Sequence, residues 1–271
     1  MDMTIRTAWQ TDKGMLRKNN EDNLLARPNL YDAGSSNRKG ALPVGKEGAL
    51  FAVADGMGGL QAGEVASSLA IEALEEMIDM RGIGEDTAEK ELKGTLGLAF
   101  MNAHTSLLER AEEDPAAAGM GTTLVVGYVR DGWLHAAWLG DSRCYRYRKG
   151  SGLECLTKDH SYVQLLVDEG HISMEEAFDH PRSNIVTRSL ICREDDDTMP
   201  DYASHRLEAG DRLLFCSDGL NGMLRDHEIE EILAKEADTD ACVKKCVREA
   251  NRKGGKDNIT VVLVDVVSME G

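Results

Sequence analysis

The chain has 271 residues, 42% hydrophobic and only 5% aromatic, and a formal net charge of −17. The length allows one large domain or two small ones, and the acidic balance excludes nucleic acid and anionic membrane as partners, because both require clustered Lys and Arg. No apolar stretch approaches the ~20 residues that span a bilayer, Met1 to Gln10 lacks a signal-type hydrophobic run, and six cysteines without a Cys-x-x-Cys pair fit reduced thiols in a cytoplasm.

In chain order, an opening strand spans about Thr4 to Thr11, and a second covers Leu24-Leu25-Ala26. Asp32 to Gly48 reads as a loop. The run Phe51-Ala52-Val53-Ala54 is a buried strand that ends at Asp55 and is broken by Gly56-Met57-Gly58-Gly59. Helical periodicity then covers Gln61 to Met80, with Val65, Leu69, Leu74 and Ile78 on one side, and about Thr87 to Arg110. Strands follow at Thr122 to Arg130, Trp133 to Leu139 and Arg143 to Arg148, the first two joined by an Asp131-Gly132 hairpin turn. His160 to Asn184 holds two short helices, Tyr162 to Glu169 and Met174 to Phe178, and reads as a mobile insertion. Strands at Thr198 to Arg206 and Asp211 to Ser217, helices near Asp226 to Lys235 and Thr239 to Arg252, and a strand from Asn258 to Val267 complete the chain. Antiparallel hairpins with paired helices indicate α+β layers rather than alternating βαβ units. Without an internal repeat or a Pro-rich or Ser-rich linker, residues 1–271 read as a single domain.

The chemistry lies where acidic residues end or open buried strands: Asp55, Asp141, Asp218 and Asp257, with Glu21 near the start of another. An ionised carboxylate beside a core costs several kcal/mol unless a cation meets it. A donor set of carboxylate, carbonyl and water oxygens selects hard ions such as Mg²⁺ or Mn²⁺ over zinc or copper. Two such ions ~3.5–4 Å apart can share a bridging hydroxide and clamp a phosphoryl group. Arg17, five residues before Asp22, supplies a fixed cation for phosphate oxygens.

Other motifs carry less. Gly40-Ala41-Leu42-Pro43-Val44-Gly45-Lys46-Glu47 imitates a P-loop, but Glu47 stands where a hydroxyl must hold magnesium, so the segment reads as a plain loop. The seven histidines include no pair at metal spacing on a convincing helix, so each is read as structural or surface.

Six motifs then fall in register: Gly14-x-x-Arg17-x-x-Asn20-Glu21-Asp22, Asp55-Gly56-Met57-Gly58-Gly59, Gly121-Thr122-Thr123, Gly140-Asp141-Ser142-Arg143, Ser217-Asp218-Gly219-Leu220 and Gly255-Lys256-Asp257-Asn258-Ile259-Thr260. Their order resembles the metal-dependent serine/threonine protein phosphatases of type 2C, bacterial branch, over about Thr4 to Val266. The resemblance implies a four-layer αββα sandwich, two antiparallel sheets flanked by helix pairs, and hydrolysis of phosphoserine and phosphothreonine by a metal-bridging hydroxide. It implies that Asp55 bridges two metals, Asp218 and Asp257 ligate the first, and Glu21 and the Gly56 carbonyl ligate the second. Asp22 and Asn258 resemble residues that orient ligands, Arg17 resembles the phosphate-binding arginine, and Asp141 with Asp218 resembles a weak third metal site. Residues 158–197 resemble the bacterial flap, bordered by Lys158-Asp159-His160-Ser161 and Arg182 to Arg188. Two departures stand out: Met57 occupies a position where many eukaryotic members have a proton-donating His, and Ile191-Cys192 follows Leu190 where relatives often turn through Gly.

Three functions compete. A general cytoplasmic phosphatase, monomeric and acting on phosphoproteins that include a serine/threonine kinase, keeps every ligand. A non-catalytic phosphoprotein-binding module predicts lost ligands. A phosphatase dedicated to anti-anti-sigma factors predicts no Arg17 and an added sensor domain.

Overall fold

The computed structural model describes residues 2–30, 32, 37–58, 62–81, 83, 87–193 and 197–270. Met1, Gly59, Gln61 and residues 194–196, named in the sequence reading, lie outside the described residues.

Two antiparallel sheets face each other, and the sequence pattern explains which side chains enter which layer. Strand β4 (Ala49–Met57) is buried on both faces through Ala54. Its Ala49, Phe51 and Val53 point into the core between the sheets, while Leu50, Ala52 and Ala54 point to a helix layer. This is the two-residue alternation of a pleated strand with apolar neighbours on either side. Strand β13 (Ile259–Glu270) repeats the arrangement: Val262, Val264 and Val266 enter the inter-sheet core, and Ile259, Val261 and Leu263 meet the opposite helices.

The first sheet runs β3 (Gly40–Val44), β1 (Asp2–Asp12), β13, β12 (Arg212–Cys216), β8 (Arg143–Arg148) and β9 (Gly152–Cys155). The second runs β10 (Leu190–Ile191), β5 (Gly121–Thr122), β4, β6 (Leu124–Arg130), β7 (Trp133–Leu139) and β11 (Asp201–Arg206), with β2 (Asp22–Arg27) also paired to β4. Helices α1 (Ala62–Arg81) and α2 (Glu89–Glu113) cover the second sheet. Small residues, including Ala66, Ala70, Ala99 and Ala103, all fully buried, belong to the apolar cluster these helices share with the sheet. Helices α6 (Asp226–Lys235) and α7 (Thr239–Arg252) cover the first through Ile229, Leu233, Val243 and Val247. Three apolar clusters therefore fill the three gaps of a four-layer αββα sandwich.

The hairpin between β6 and β7 pairs Arg130 with Trp133 around a two-residue turn. Asp131 and Gly132 both have positive φ, 50° and 75°, which matches the right-handed strand twist. All six cysteines are unpaired thiols.

Four elements differ from the sequence expectation. The segment read as loop from Asp32 to Gly48 contains β3, an edge strand whose Pro43 is tolerated because one side has no ladder partner. Strand β9 extends the first sheet beyond β8, and β10 pairs with β5, so the chain leaving the insertion is tied to the second sheet at Leu190–Ile191. A one-turn helix, α5 (Asp218–Asn221), begins at Asp218 itself. Within residues 158–193, α3 (Tyr162–Asp168) and α4 (Met174–Phe178) are capped by Ser161 and Ser173. A bridge between Ser161 and Val186 closes the base of this segment.

Candidate metal centre

Antiparallel pairing places the end of one strand beside the beginning of its neighbour, and this gathers the acidic residues at one rim. Asp55 near the end of β4 stands directly opposite Asp22 at the start of β2. The Ser217 N–H, just past β12, donates to the Thr260 carbonyl near the start of β13 at 3.1 Å, which sets Asp218 beside Asp257 and Asn258. Gly219 makes that approach possible, since a Cβ there would overlap the Asn258 carbonyl oxygen. Asp141 lies just past β7, buried at the same rim.

The loop carrying Arg17 and Glu21 is held by one side chain. The Asn258 Nδ2 donates to the carbonyls of Lys13 and Asn19 at 3.0 and 2.9 Å, and its Oδ1 accepts from the Glu21 N–H at 2.8 Å. Gly14, with φ 74°, lies against the Asp257 carbonyl so closely that any Cβ would collide. The Met15 N–H donates to the Gly255 carbonyl at 2.8 Å. On the far side, the Glu21 carbonyl accepts from Ser67 Oγ at 2.6 Å and from the Gly56 N–H at 3.2 Å.

Asp55 is fixed through its own backbone. Its carbonyl accepts from the Thr123 N–H and from Thr122 Oγ1, both at 2.9 Å, and its N–H donates to Thr123 Oγ1. Thr123 Oγ1 in turn shares a hydrogen bond of 2.7 Å with Ser142 Oγ, next to Asp141. Ser217 Oγ donates to Asp22 Oδ2 at 2.7 Å and accepts from the Thr260 N–H at 2.9 Å. Sequence reasoning assigned no role to Thr122, Thr123, Ser142 or Ser217. They sit inside the motifs it quoted, and that adjacency was the available signal.

The electrostatics of this rim are unfavourable for protein groups alone. Burial, and after it the charges of Asp22, Asp218, Asp141 and Asp257, hold the Asp55 carboxyl well above its ordinary range. Burial pushes Asp22 up to about 7, opposed by hydrogen bonds from Thr260 and Ser217. Asp218 is pushed up to about 6 by burial and then by Asp257, opposed by a hydrogen bond with Asp55. Burial followed by Asp218 and Asp159 raises Asp141, and burial raises Glu21 against the pull of Arg17. Protein cations compensate only in part: Arg17 Nη2 donates to Asp257 Oδ2 at 2.5 Å, and the charge of Arg143 acts against the rise at Asp141.

These residues suit hard divalent ions. Asp218 Oδ1 and Asp22 Oδ1 are buried without a hydrogen-bond partner, and every donor side chain offers oxygen. Among the described residues no three acidic, His or Cys side chains stand in ligating geometry about one point. Arg17, Glu21, Asp22, Asp55, Gly56, Asp141, Asp218, Asp257 and Asn258 are thus neighbours in one network.

A cleft of about 540 Å³ opens from this rim, lined by Asp141, Asp218 and Asp257 on one side and by Val163, Met174 and Phe178 of the insertion on the other. The insertion is tied down at its base. Arg143 makes a two-pronged ion pair with Asp159 at 2.8 and 2.7 Å. His160 Nδ1 accepts from the Gly140 N–H at 3.0 Å, and its Nε2 lies 2.8 Å from Arg188 Nη1. Burial, then Arg188, lowers the His160 pKa, which agrees with a structural histidine.

The sequence profile of the protein phosphatase 2C family matches residues 39–263. The chain is 37% identical over 268 residues to the serine/threonine protein phosphatase PstP of Mycobacterium tuberculosis, covering 99% of this chain and 46% of that protein. It therefore spans about half the length of that relative. Over 264 residues it is 35% identical to the serine/threonine phosphatase stp of Listeria monocytogenes, covering 96% of each. The crystal structure of the M. tuberculosis phosphatase superposes with a TM-score of 0.81 at 35% identity, covering 98% of this chain and 100% of that one. The catalytic domain of PstP in complex with two manganese ions superposes at 0.78 with 36% identity and the same coverage. By its profile, its relatives and its fold, the chain belongs to the protein phosphatase 2C family.

Proposed function

We propose that this chain hydrolyses phosphoserine and phosphothreonine in proteins with the help of two divalent ions, Mg²⁺ or Mn²⁺. The observation that supports this reading is a rim of buried, mutually repelling carboxylates with unpartnered oxygens on Asp218 and Asp22. In this reading Asp55 would serve both ions, Asp218 and Asp257 would hold the first, and Glu21 with the Gly56 carbonyl would hold the second. Asp141 with Asp218 would form a third, weaker site. Bound ions supply positive charge for the phosphoryl oxygens and lower the pKa of water at the site.

The chain's own residues do the rest. Arg17, half-exposed and already bonded to one carboxylate, offers a planar guanidinium suited to two phosphoryl oxygens. Asn258 fixes the loop that carries it, and Asp22 accepts from Ser217 to keep the Asp218 turn in register. Met57 has no proton to give, so protonation of the leaving oxygen falls to solvent at the site. The whole described chain acts as one catalytic unit, with the described part of the insertion, residues 158–193, as a flap over the cleft. A phosphorylated serine/threonine kinase is among the substrates, and the protein works as a cytoplasmic monomer.

A phosphothreonine peptide and a phosphotyrosine peptide of otherwise equal sequence test the assignment with Mn²⁺ present. Release of phosphate from the first, abolished by EDTA, is expected. Preference for phosphotyrosine contradicts the substrate class.

A further inference from the structure

A second depression shares no lining residue with the cleft. It is a groove of about 610 Å³ between the segment Gln10 to Met15 and α7, lined by three cations, Lys13, Lys244 and Arg248, against one acid, Asp12, with Met15 and Val247 as its apolar part. Three independent features of this groove point the same way.

The first is charge. In a chain of net charge −17, α7 carries Lys244, Lys245, Arg248 and Arg252 against only Asp240 and Glu249. Lys13 and Lys18 add two more cations from the loop. Among the described residues, no ion pair engages Lys13, Lys18 or Lys245, and Lys244 and Arg248 pair only with acids of their own helix, Asp240 at 2.5 Å and Glu249 at 3.8 Å. Such an exposed pair contributes little and yields readily to a competing carboxylate.

The second is apolar surface. Met15 and Leu16 are 67% and 70% exposed although both are large hydrophobes. Their backbone is held rigidly by the Asn258 bonds, by Gly255 and by the Gly14 contact with Asp257. A loop fixed at its backbone that holds two apolar side chains in water beside the unpaired Lys13 is a surface suited to a partner.

The third is position. Met15 stands two residues from Arg17, and Gly14 rests on the carbonyl of Asp257. The groove therefore adjoins the loop that carries Arg17.

We propose that the groove docks the segment flanking the phosphoresidue of a protein substrate, an extended stretch bearing carboxylates and an apolar side chain. This rests on the phosphatase reading above and narrows its substrate class. Lys13, Lys244 and Arg248 meet the carboxylates, and Met15 and Leu16 meet the apolar residue. The patch is one helix face wide on an acidic body, which suits a short acidic peptide rather than a nucleic acid or a bilayer.

The test compares two phosphothreonine peptides, one with a flank of Glu and Leu and one with each Glu replaced by Gln, on the unaltered protein and on Lys244→Glu/Arg248→Glu. The milder Lys244→Ala/Arg248→Ala serves should the charge reversal fold poorly. The unaltered protein should prefer the acidic peptide by about 10-fold in kcat/KM at low salt, and the preference should fade at 0.5 M salt. Both variants should lose the preference while p-nitrophenyl phosphate turnover stays within about 2-fold, because neither residue touches the reacting atoms. Equal use of the two peptides by the unaltered protein, or a preference that survives charge reversal, overturns the docking assignment and leaves the phosphatase reading standing. Absent turnover of p-nitrophenyl phosphate by the unaltered protein overturns the phosphatase reading instead. Docking is then decided by fluorescence anisotropy of the labelled, unphosphorylated acidic peptide: binding lost in Lys244→Glu/Arg248→Glu supports the groove, and no binding, or equal binding to both proteins, rejects it.

Discussion

The Arg17 guanidinium and the Asp257 carboxylate meet at 2.5 Å, so the residue proposed to hold phosphate holds a proposed metal ligand instead. One charge cannot serve both partners at full strength. Arg17→Ala should lower kcat/KM on a phosphopeptide by about 10–100-fold, the loss of one charge-assisted contact pair. Affinity for Mn²⁺, measured by calorimetry, should stay level or rise, because Asp257 is freed. A marked fall in metal affinity would mean that Arg17 supports the ligands rather than the substrate.

Asp22 and Asp55 face each other across the β2–β4 ladder, which makes stability in chelator depend on pH. Asp22 is held at about 7 and Asp218 at about 6, both above the ordinary 3.8, first by burial. A carboxyl raised in the folded state keeps a proton that the unfolded chain has released, so stability falls as pH rises from about 4 to about 7. In EDTA, the thermal midpoint should therefore drop across that window, and Mn²⁺ should abolish most of the drop. Asp22→Asn, which removes the titrating charge and keeps an acceptor for Ser217, should stabilise the metal-free protein at pH 7.5 by about 1–3 kcal/mol. A flat profile in EDTA would contradict the electrostatic account.

Much of this arrangement is legible in the chain because its causes are local. The turn at Asp131-Gly132 follows from positive φ at both positions, and the unbroken run Leu50 to Ala54 requires apolar layers on both faces. Strand β3 is different: its alternating half-exposed pattern, with Pro43 inside, makes sense only once β1 is there to pair it. Two-residue strands such as β10 exist only through their partners. The same division runs through the site. The acidic residue types and their strand-end positions are visible in sequence, but the Ser217–Asp22 bond joins positions 195 apart. The three bonds of Asn258 likewise depend on the folded path of the 13–21 loop.

Glycine at 219 is required by contact with the Asn258 carbonyl rather than by its own φ. Gly219→Ala must push α5 and the start of β13 apart, at a cost of about 2–3 kcal/mol. Denaturant melts should show that loss, and turnover at saturating Mn²⁺ should fall by about 10-fold or more as Asp218 moves. Retained turnover with unchanged stability would show that the two segments are free to separate.

The insertion is fastened to the body at a second point. Arg225, at the start of α6, donates to Asp179 Oδ2 at 2.6 Å and lies over the Phe178 ring, 4.3 Å from its centroid. Arg225→Ala should weaken this latch by about 1 kcal/mol. Proteolytic nicking between α3 and α4 should speed up, and phosphoprotein turnover should change more than that of p-nitrophenyl phosphate. Equal changes on both substrates would argue against a flap that governs access.

The most direct test is calorimetric titration of Mn²⁺ into the unaltered protein and Asp55→Asn, with p-nitrophenyl phosphate turnover followed in the same samples. Turnover in the unaltered protein should rise with metal occupancy and vanish in EDTA, and Asp55→Asn should lose tight binding together with on the order of 10³-fold in rate. Full turnover in EDTA, or an Asp55→Asn protein that binds and turns over normally, would contradict a metal centre built on this rim.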